Sequence, residues 1–195
     1  MLILPRDVTG VMLCGGDARR MGGVEKPLLL WHDRPLLAHA LDRLLPQVGH
    51  VIVSANRELD TYRAFGHRVV SDDVPKLGPL GGLASAERHV TTPWVFLCPG
   101  DAPRLDTALV SRLAAATTGS TTAVFPHDGE RGQYLFLLVR TAAIVSLASY
   151  LVDGARSVHG WLATIGAKAV DMREIASTFT NVNTADALAK LTTDR

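Results

Sequence analysis

Cysteine is scarce in this chain of 195 residues: Cys14 and Cys98 are the only two. Two thiols cannot build a metal cluster by themselves, and they suit a reducing compartment better than a disulfide-stapled secreted scaffold. No apolar run approaches the roughly 18 residues that a membrane-spanning helix needs. The opening residues, Met1 to Thr9, include Pro5, Arg6 and Asp7 and lack the apolar stretch of a signal peptide. The expectation is therefore a cytoplasmic protein without membrane contact. Excess charge of either sign is also missing, with 20 Lys and Arg against 19 Asp and Glu and a net charge of +1. That argues against a general affinity for nucleic acid, so any bound phosphate must be met by charge concentrated locally. Internal repeats, linkers and low-complexity tracts are absent.

What is present reads as one ordinary domain, 1–195, long enough for a core and a cleft. Apolar residues make up 47% and charged residues 20%, as in a soluble globular chain. Val11 to Leu13, Val51 to Ser54, Val69–Val70 and Trp94 to Cys98 are short apolar runs that read as buried strands. Between them, Leu36 to Leu45 carries a helical stripe ended by Pro46, Glu58 to Phe65 predicts a short helix closed by Gly66, and Leu83 to His89 a further helix after a breaker, Gly78 to Gly82. Asp106 is a candidate N-cap for a helix over Thr107 to Ala116. Ala114 to Thr122 reads as a flexible loop. Thr122 to Phe125 and Tyr134 to Val139 suggest an antiparallel pair about the turn His127-Asp128-Gly129. Helices near Ala142 to Tyr150 and Ser157 to Ile165, a strand near Ala169 and a helix from Thr184 to Leu191 complete the chain. Alternating strands and helices imply a three-layer αβα, Rossmann-like α/β fold whose mixed sheet is mostly parallel.

In an open α/β sheet ligands bind beyond the carboxyl ends of the strands, and three segments follow predicted strands directly. The first runs Leu13-Cys-Gly-Gly-Asp-Ala-Arg-Arg-Met-Gly-Gly-Val-Glu-Lys26. Glycines at 15, 16, 22 and 23 free the backbone to point N–H groups at a ligand, while Arg20 and Lys26 suit phosphate oxygens. It is neither a P-loop, since Lys26 follows Glu25 and precedes Pro27, nor the dinucleotide fingerprint, since Gly15 and Gly16 are adjacent. The bland alternative is a flexible loop with exposed basic residues. The second segment, Cys98-Pro-Gly-Asp-Ala-Pro103, sets Asp101 where a carboxylate could hold Mg²⁺ beside a triphosphate, or could merely cap its own turn. The third is Ser54-Ala-Asn-Arg57. Asn56 and Asp72 each read equally well as turn residues or as contacts to a base or ribose, and Gly78-Pro-Leu-Gly-Gly82 either lets backbone approach a base edge or simply opens the next helix.

Together these residues closely resemble the bacterial molybdenum cofactor guanylyltransferases, the MobA family. The resemblance lies in Leu13-Cys14-Gly15-Gly16, Arg20-Met21-Gly22-Gly23, Glu25-Lys26, Ala55-Asn56-Arg57, Tyr62 to Gly66, Gly78 to Gly82, His127 to Gly129, and Asn181 to Thr184. It is collinear over nearly the whole chain. It implies a nucleotidyltransferase fold and the transfer of GMP from GTP to the terminal phosphate of the molybdopterin cofactor, with release of pyrophosphate. Leu13, Cys14, Gly15, Gly16, Lys26, Asn56, Asp72, Gly78 and Asp101 would then bind GTP, Asp101 would also bind Mg²⁺, and Asn181 and Asn183 would hold the pterin. Residues 1–105 would form the GTP and magnesium part, and 106–195 the molybdopterin part. Cys14 stands for a common alanine, Gly100 for a cysteine often found before the metal aspartate, and Gln133-Tyr134 for a His-Pro or Gln-Pro pair.

The chemistry so implied requires positioning and charge neutralisation more than covalent help. Arg20, Lys26 and a metal on Asp101 are the candidate catalytic groups. An acceptor phosphate is already ionised near neutral pH, so no general base is needed and His127 reads as structural. The expected partners are GTP, the molybdopterin cofactor and a molybdopterin-insertion protein or molybdoenzyme chaperone, for a chain expected to be a monomer or weak homo-oligomer. The competing expectations are a cytidylyl- or other nucleotidyltransferase of the same fold, and an inactive GTP-binding scaffold.

Overall fold

The computed structural model describes residues 2–15 and 25–179. Its centre is a seven-stranded sheet. In chain order the strands and helices are β1 (Val8–Leu13), β2 (Leu30–Trp31), β3 (Arg34–Pro35), α1 (Leu36–Leu44), β4 (His50–Ser54), α2 (Leu59–Arg63), β5 (Arg68–Val70), α3 (Pro79–Glu87), β6 (Trp94–Pro99), α4 (Leu109–Ala115), β7 (Ala123–His127), β8 (Leu137–Arg140), α5 (Thr141–Ile144), α6 (Ser146–Val152), α7 (Val158–Thr164) and β9 (Lys168–Asp171). The sheet order is β5-β4-β1-β6-β8-β7-β9, and β2 and β3 form a separate small hairpin. The pairs β5–β4, β4–β1, β1–β6 and β7–β9 are parallel, while β8 runs against both β6 and β7. The expected mostly parallel mixed sheet is thus the observed one.

Alternation along the strands divides the core in two. Val51, Val53, Trp94, Phe96 and Cys98 face α1 and α4, packing on Leu37, Leu41, Leu44, Leu109 and Leu113. Ile52, Val95 and Leu97 face the other way, toward Leu80 and Leu83 of α3, Leu147 of α6 and Trp161 of α7. A strand buried on both faces must be apolar at every position, which is why β6 reads as a continuous run rather than an alternating one. Every residue of β6 is buried. Among the described residues no helix is long and apolar enough to cross a membrane.

Several elements depart from the sequence expectation for local reasons. The glycine-rich breaker is the start of a helix: Gly78 supplies a left-handed φ of 64° and Pro79 opens α3 with no N–H to satisfy. Gly81 and Gly82 then lie inside α3, buried. Asp106 does not cap α4, because its carboxylate accepts from the Ala108 N–H at 2.9 Å in a tight turn and the helix begins only after Ala108. Ala114 to Thr122 is no loose loop: the Thr121 hydroxyl accepts from the Thr118 N–H at 2.8 Å, closing a turn beyond α4. Tyr134 precedes β8 in a turn, with the Phe136 N–H on the Gln133 carbonyl at 3.0 Å. The helix expected near Ala142 to Tyr150 is divided into α5 and α6 at Val145, whose dihedrals remain right-handed helical. Ser157 does cap α7, accepting from the Gly160 N–H at 3.1 Å. The helix expected from Thr184 lies outside the described residues.

Phe96 is fully buried at the centre of this arrangement. Phe96→Ala is expected to cost about 3–5 kcal/mol through lost transfer energy and a residual cavity. Urea unfolding checks this, with the midpoint falling and the slope unchanged.

Candidate functional site

Four strands end together at the carboxyl edge of the sheet, and hydrogen bonds carry three of them slightly further. The Cys14 N–H donates to the Ser54 carbonyl at 2.8 Å, the Ala55 N–H to the Val70 carbonyl at 2.9 Å, and the Gly100 N–H to the Leu13 carbonyl at 2.8 Å. Cys14–Gly15, Asn56, Asp72 and Asp101 are thereby held along one edge. Gly16, Arg20, Asn181 and Asn183 lie outside the described residues.

Asn56 and Asp72 form a reciprocal pair. The Asn56 Nδ2 donates to Asp72 Oδ2 at 2.9 Å, and Asn56 Oδ1 accepts from the Asp72 N–H at 2.8 Å. The amide that sequence reading offered to a ligand thus orients the neighbouring carboxylate. Asp72 Oδ1 is buried with no protein partner. Burial pushes the Asp72 carboxyl above its ordinary range, opposed by the Asn56 hydrogen bond. A buried lone acceptor is unfavourable unless a ligand or a water donates to it.

Glycines set how closely the elements approach. A side chain at Gly82 would run into the Ser54 hydroxyl and would lie 2.8 Å from Leu13 Cδ2, so only glycine lets α3 lie this near the ends of β1 and β4. At Gly81 a Cβ would stand 3.4 Å from Asp72 Oδ2 and 2.8 Å from Leu77 Cβ. The sequence pointed to Gly78 for close approach. There a Cβ would meet nothing within 4 Å, so its requirement is the backbone angle alone. Gly81 and Gly82 were hidden as apparent breakers.

Around Asp101 the chain is equally tight. A Cβ at Gly100 would collide with Cys14 Sγ and lie 3.4 Å from Pro27 Cβ. The Cys14 side chain, expected to be incidental, fills the space that Gly100 leaves. Both cysteines are buried free thiols. Burial raises the Cys14 pKa well above its ordinary value, with Cys98, Asp101 and Glu25 adding to the effect. Burial likewise raises Asp101, while the Lys26 ammonium and a backbone hydrogen bond draw it down. Lys26 and Asp101 therefore share one local field, although they leave different strand ends. Among the described residues no set of three His, Cys, Asp or Glu side chains could hold a metal ion. A single hard carboxylate is the donor set expected of a site completed by substrate phosphates.

Glu25, which sequence reading used only as a motif letter, is buried at 6% exposure with Oε1 2.7 Å from Arg57 Nε. Its other oxygen lies 3.5 Å from the Tyr62 hydroxyl, which also reaches the Cys14 carbonyl at 3.3 Å. Periodicity could not have revealed this, because a buried acid is legible only with its partners in place. His127 Nδ1 accepts from the Gly129 N–H at 3.1 Å within its turn.

A mostly parallel three-layer sheet with a lysine, a buried aspartate and a glycine-rich turn at its carboxyl edge defines a nucleotide-handling α/β protein. Residues 10–168 match the family described as MobA-like NTP transferase domain. The chain is 40% identical over 194 residues to a molybdenum cofactor guanylyltransferase of Cupriavidus taiwanensis, covering 96% of this chain and 97% of that one. Its fold is similar to molybdopterin-guanine dinucleotide biosynthesis protein A from Archaeoglobus fulgidus, with a TM-score of 0.76, 19% identity and coverage of 94% and 95%. It is also similar to a Mycobacterium tuberculosis protein solved in complex with manganese, with a TM-score of 0.70, 19% identity and coverage of 97% and 100%. The chain belongs to the MobA-like NTP transferase family and is a nucleotidyltransferase.

Two outcomes follow from this geometry. Gly100→Ala should destabilise by about 1–3 kcal/mol through overpacking, and adding Cys14→Ala should restore most of the loss. Chemical denaturation of the single and double variants measures it. For Asp72, a folded pKa raised above the unfolded one means that stability is fullest at low pH and is lost as pH rises through the folded value. Asp72→Asn should therefore unfold at a higher temperature than the parent at neutral pH without ligand. The gap should close as pH falls through the carboxylate range.

Proposed function

We propose that this enzyme transfers GMP from GTP to the terminal phosphate of the molybdopterin cofactor, releasing pyrophosphate. The packing of Pro27 beside Gly100 carries this reading, because it brings the neighbouring Lys26 and Asp101 to one part of the edge and so joins a cation for phosphate oxygens to a carboxylate suited to a hard divalent ion. The name of the Cupriavidus taiwanensis relative supports guanylyl transfer over other nucleotidyl groups. An acceptor phosphate oxygen attacks the α-phosphorus of GTP. The bond from that phosphorus to the bridging oxygen breaks, and the electron pair leaves with pyrophosphate.

The protein's part in this scheme is to hold and to neutralise. Gly15 and Gly16 present backbone N–H groups to the triphosphate, Leu13 and Cys14 line it at the end of β1, and Arg20 and Lys26 offset its charge. Asp101 holds Mg²⁺, which supplies further charge neutralisation on the phosphates when bound. The orphaned Asp72 Oδ1 accepts from the base or ribose, with Asn56 fixing its direction and Gly78 opening the adjoining helix. Guanine N–H groups are apt donors for it. Asn181 and Asn183 hold the pterin, so that residues 1–105 serve GTP and 106–195 serve the acceptor within one domain. The setting is cytoplasmic. The partners are GTP, the molybdopterin cofactor and a downstream insertion protein or molybdoenzyme chaperone.

Pyrophosphate release from GTP, measured with molybdopterin and Mg²⁺, is expected to fall by about 10²–10³-fold in Asp101→Ala. Wild-type activity in that variant at equal GTP and metal would remove Asp101 from the metal role. Competition among GTP, CTP, ATP and UTP tests the base, and a clear preference for CTP would replace the guanylyl reading with the cytidylyl one. Tight GTP binding without turnover on authentic acceptor would favour the inactive scaffold.

A further inference from the structure

We propose that Tyr62 and Glu25 are positioning residues that fix the two ends of the nucleotide loop, at Cys14–Gly15 and at Glu25–Lys26. The inference rests on the reading of the carboxyl edge as a triphosphate site. Tyr62 stands on α2 and is fully buried. A phenylalanine would fill the same apolar space, so the hydroxyl needs its own account. That hydroxyl reaches two acceptors, and they flank the loop: the Cys14 carbonyl at its start, at 3.3 Å, and Glu25 Oε2 at its end, at 3.5 Å. The other oxygen of Glu25 is held at 2.7 Å by Arg57 Nε, from the segment after β4.

The consequence for the loop follows from peptide geometry. In a trans peptide the carbonyl and the following N–H point in opposite directions. Drawing the Cys14 carbonyl toward buried Tyr62 turns the Gly15 N–H outward, and Gly15 is exposed. An anion cradle needs that orientation of N–H groups fixed before the ligand arrives. At the far end, the Glu25 carboxylate is nearly buried yet matched by Arg57, so the residue before Lys26 has little freedom. The phenol remains a donor throughout, since burial pushes its pKa far up, with the anionic neighbours adding to it. Neither side chain touches the nucleotide in this scheme. Tyr62 acts through Gly15 and Glu25 acts through Lys26.

The test uses the full chain and the variants Tyr62→Phe, Glu25→Gln and the double substitution. GTP is titrated in the presence of Mg²⁺, kcat and KM are measured with molybdopterin as acceptor, and thermal unfolding is recorded. Each single change is expected to weaken GTP binding about 5- to 30-fold, the loss of one or two modest hydrogen bonds. KM should rise by a similar factor while kcat stays within about threefold, because uniform binding has been lost rather than a contact unique to the transition state. The double variant should be little worse than the weaker single, because both act on one loop. Parental GTP affinity in Tyr62→Phe, additive losses, or a fall in kcat that tracks a lowered unfolding temperature would each overturn the proposal. Parallel titrations with ATP, CTP and UTP separate this inference from the base assignment. If the parent protein prefers another triphosphate, the guanylyl reading fails and Tyr62→Phe is judged on that nucleotide. A parent that binds none of the four overturns both.

Discussion

β1 and β6 pair in parallel from Val8 opposite Trp94 to Leu13 opposite Pro99, and the Gly100 N–H adds a rung on the Leu13 carbonyl at 2.8 Å. This ladder lies in the middle of the sheet and is buried on both faces. A slip of one residue would turn over one strand against the other, sending Met12 or Phe96 toward α3 and Val11 or Val95 under α1, and so spoil both halves of the core. The register therefore cannot drift. Because it cannot, Cys14 and Gly100 stand side by side and Asp101 emerges beside the loop that follows β1. The placement of the chemistry is a consequence of apolar packing below it.

The same packing makes the edge electrostatically demanding. Glu25, Asp72 and Asp101 are all partly or wholly withdrawn from water there, and they are treated differently. Glu25 is matched by Arg57 and gives shape. Asp72 is steered by Asn56 but keeps an oxygen without a protein partner. Asp101 is disfavoured as an anion by burial and relieved in part by Lys26. An acceptor left short of donors, and a buried carboxylate only partly compensated, both become more comfortable when donors and cations arrive. On the proposed reading such an edge is organised for its ligands in advance, at a cost in stability met by the core.

How much of this was legible beforehand differs by element. The strands β4 and β6 and the helix α1 were readable because burial on one or two faces writes itself into periodicity. At α3 the sequence left two readings open, a backbone contact or a helix start, since Gly78, Gly81 and Gly82 look alike in sequence and do different things. Gly78 serves a backbone angle, whereas Gly81 and Gly82 serve close packing against Asp72, Ser54 and Leu13. Asp106 was misjudged because its turn competes with a helix cap for the same carboxylate. Lys26 and Asp101 were singled out as candidates from their positions after strands. The pairing of Asn56 with Asp72, the fit of Cys14 against Gly100 and the burial of Glu25 are contacts between segments distant in the chain, which no local pattern encodes.

By itself the amino-acid sequence determined the class of fold, the edge at which a ligand would lie and the residue types offered there, because hydrophobic period and turn chemistry are local properties of the chain. Only the tertiary structure decided which of those residues face one another. Asn56 is turned to Asp72, Glu25 to Arg57, and the Cys14 thiol to the space beside Gly100. Those choices depend on the spacing of strand ends and on the depth of burial, and both exist only once the sheet has closed its core.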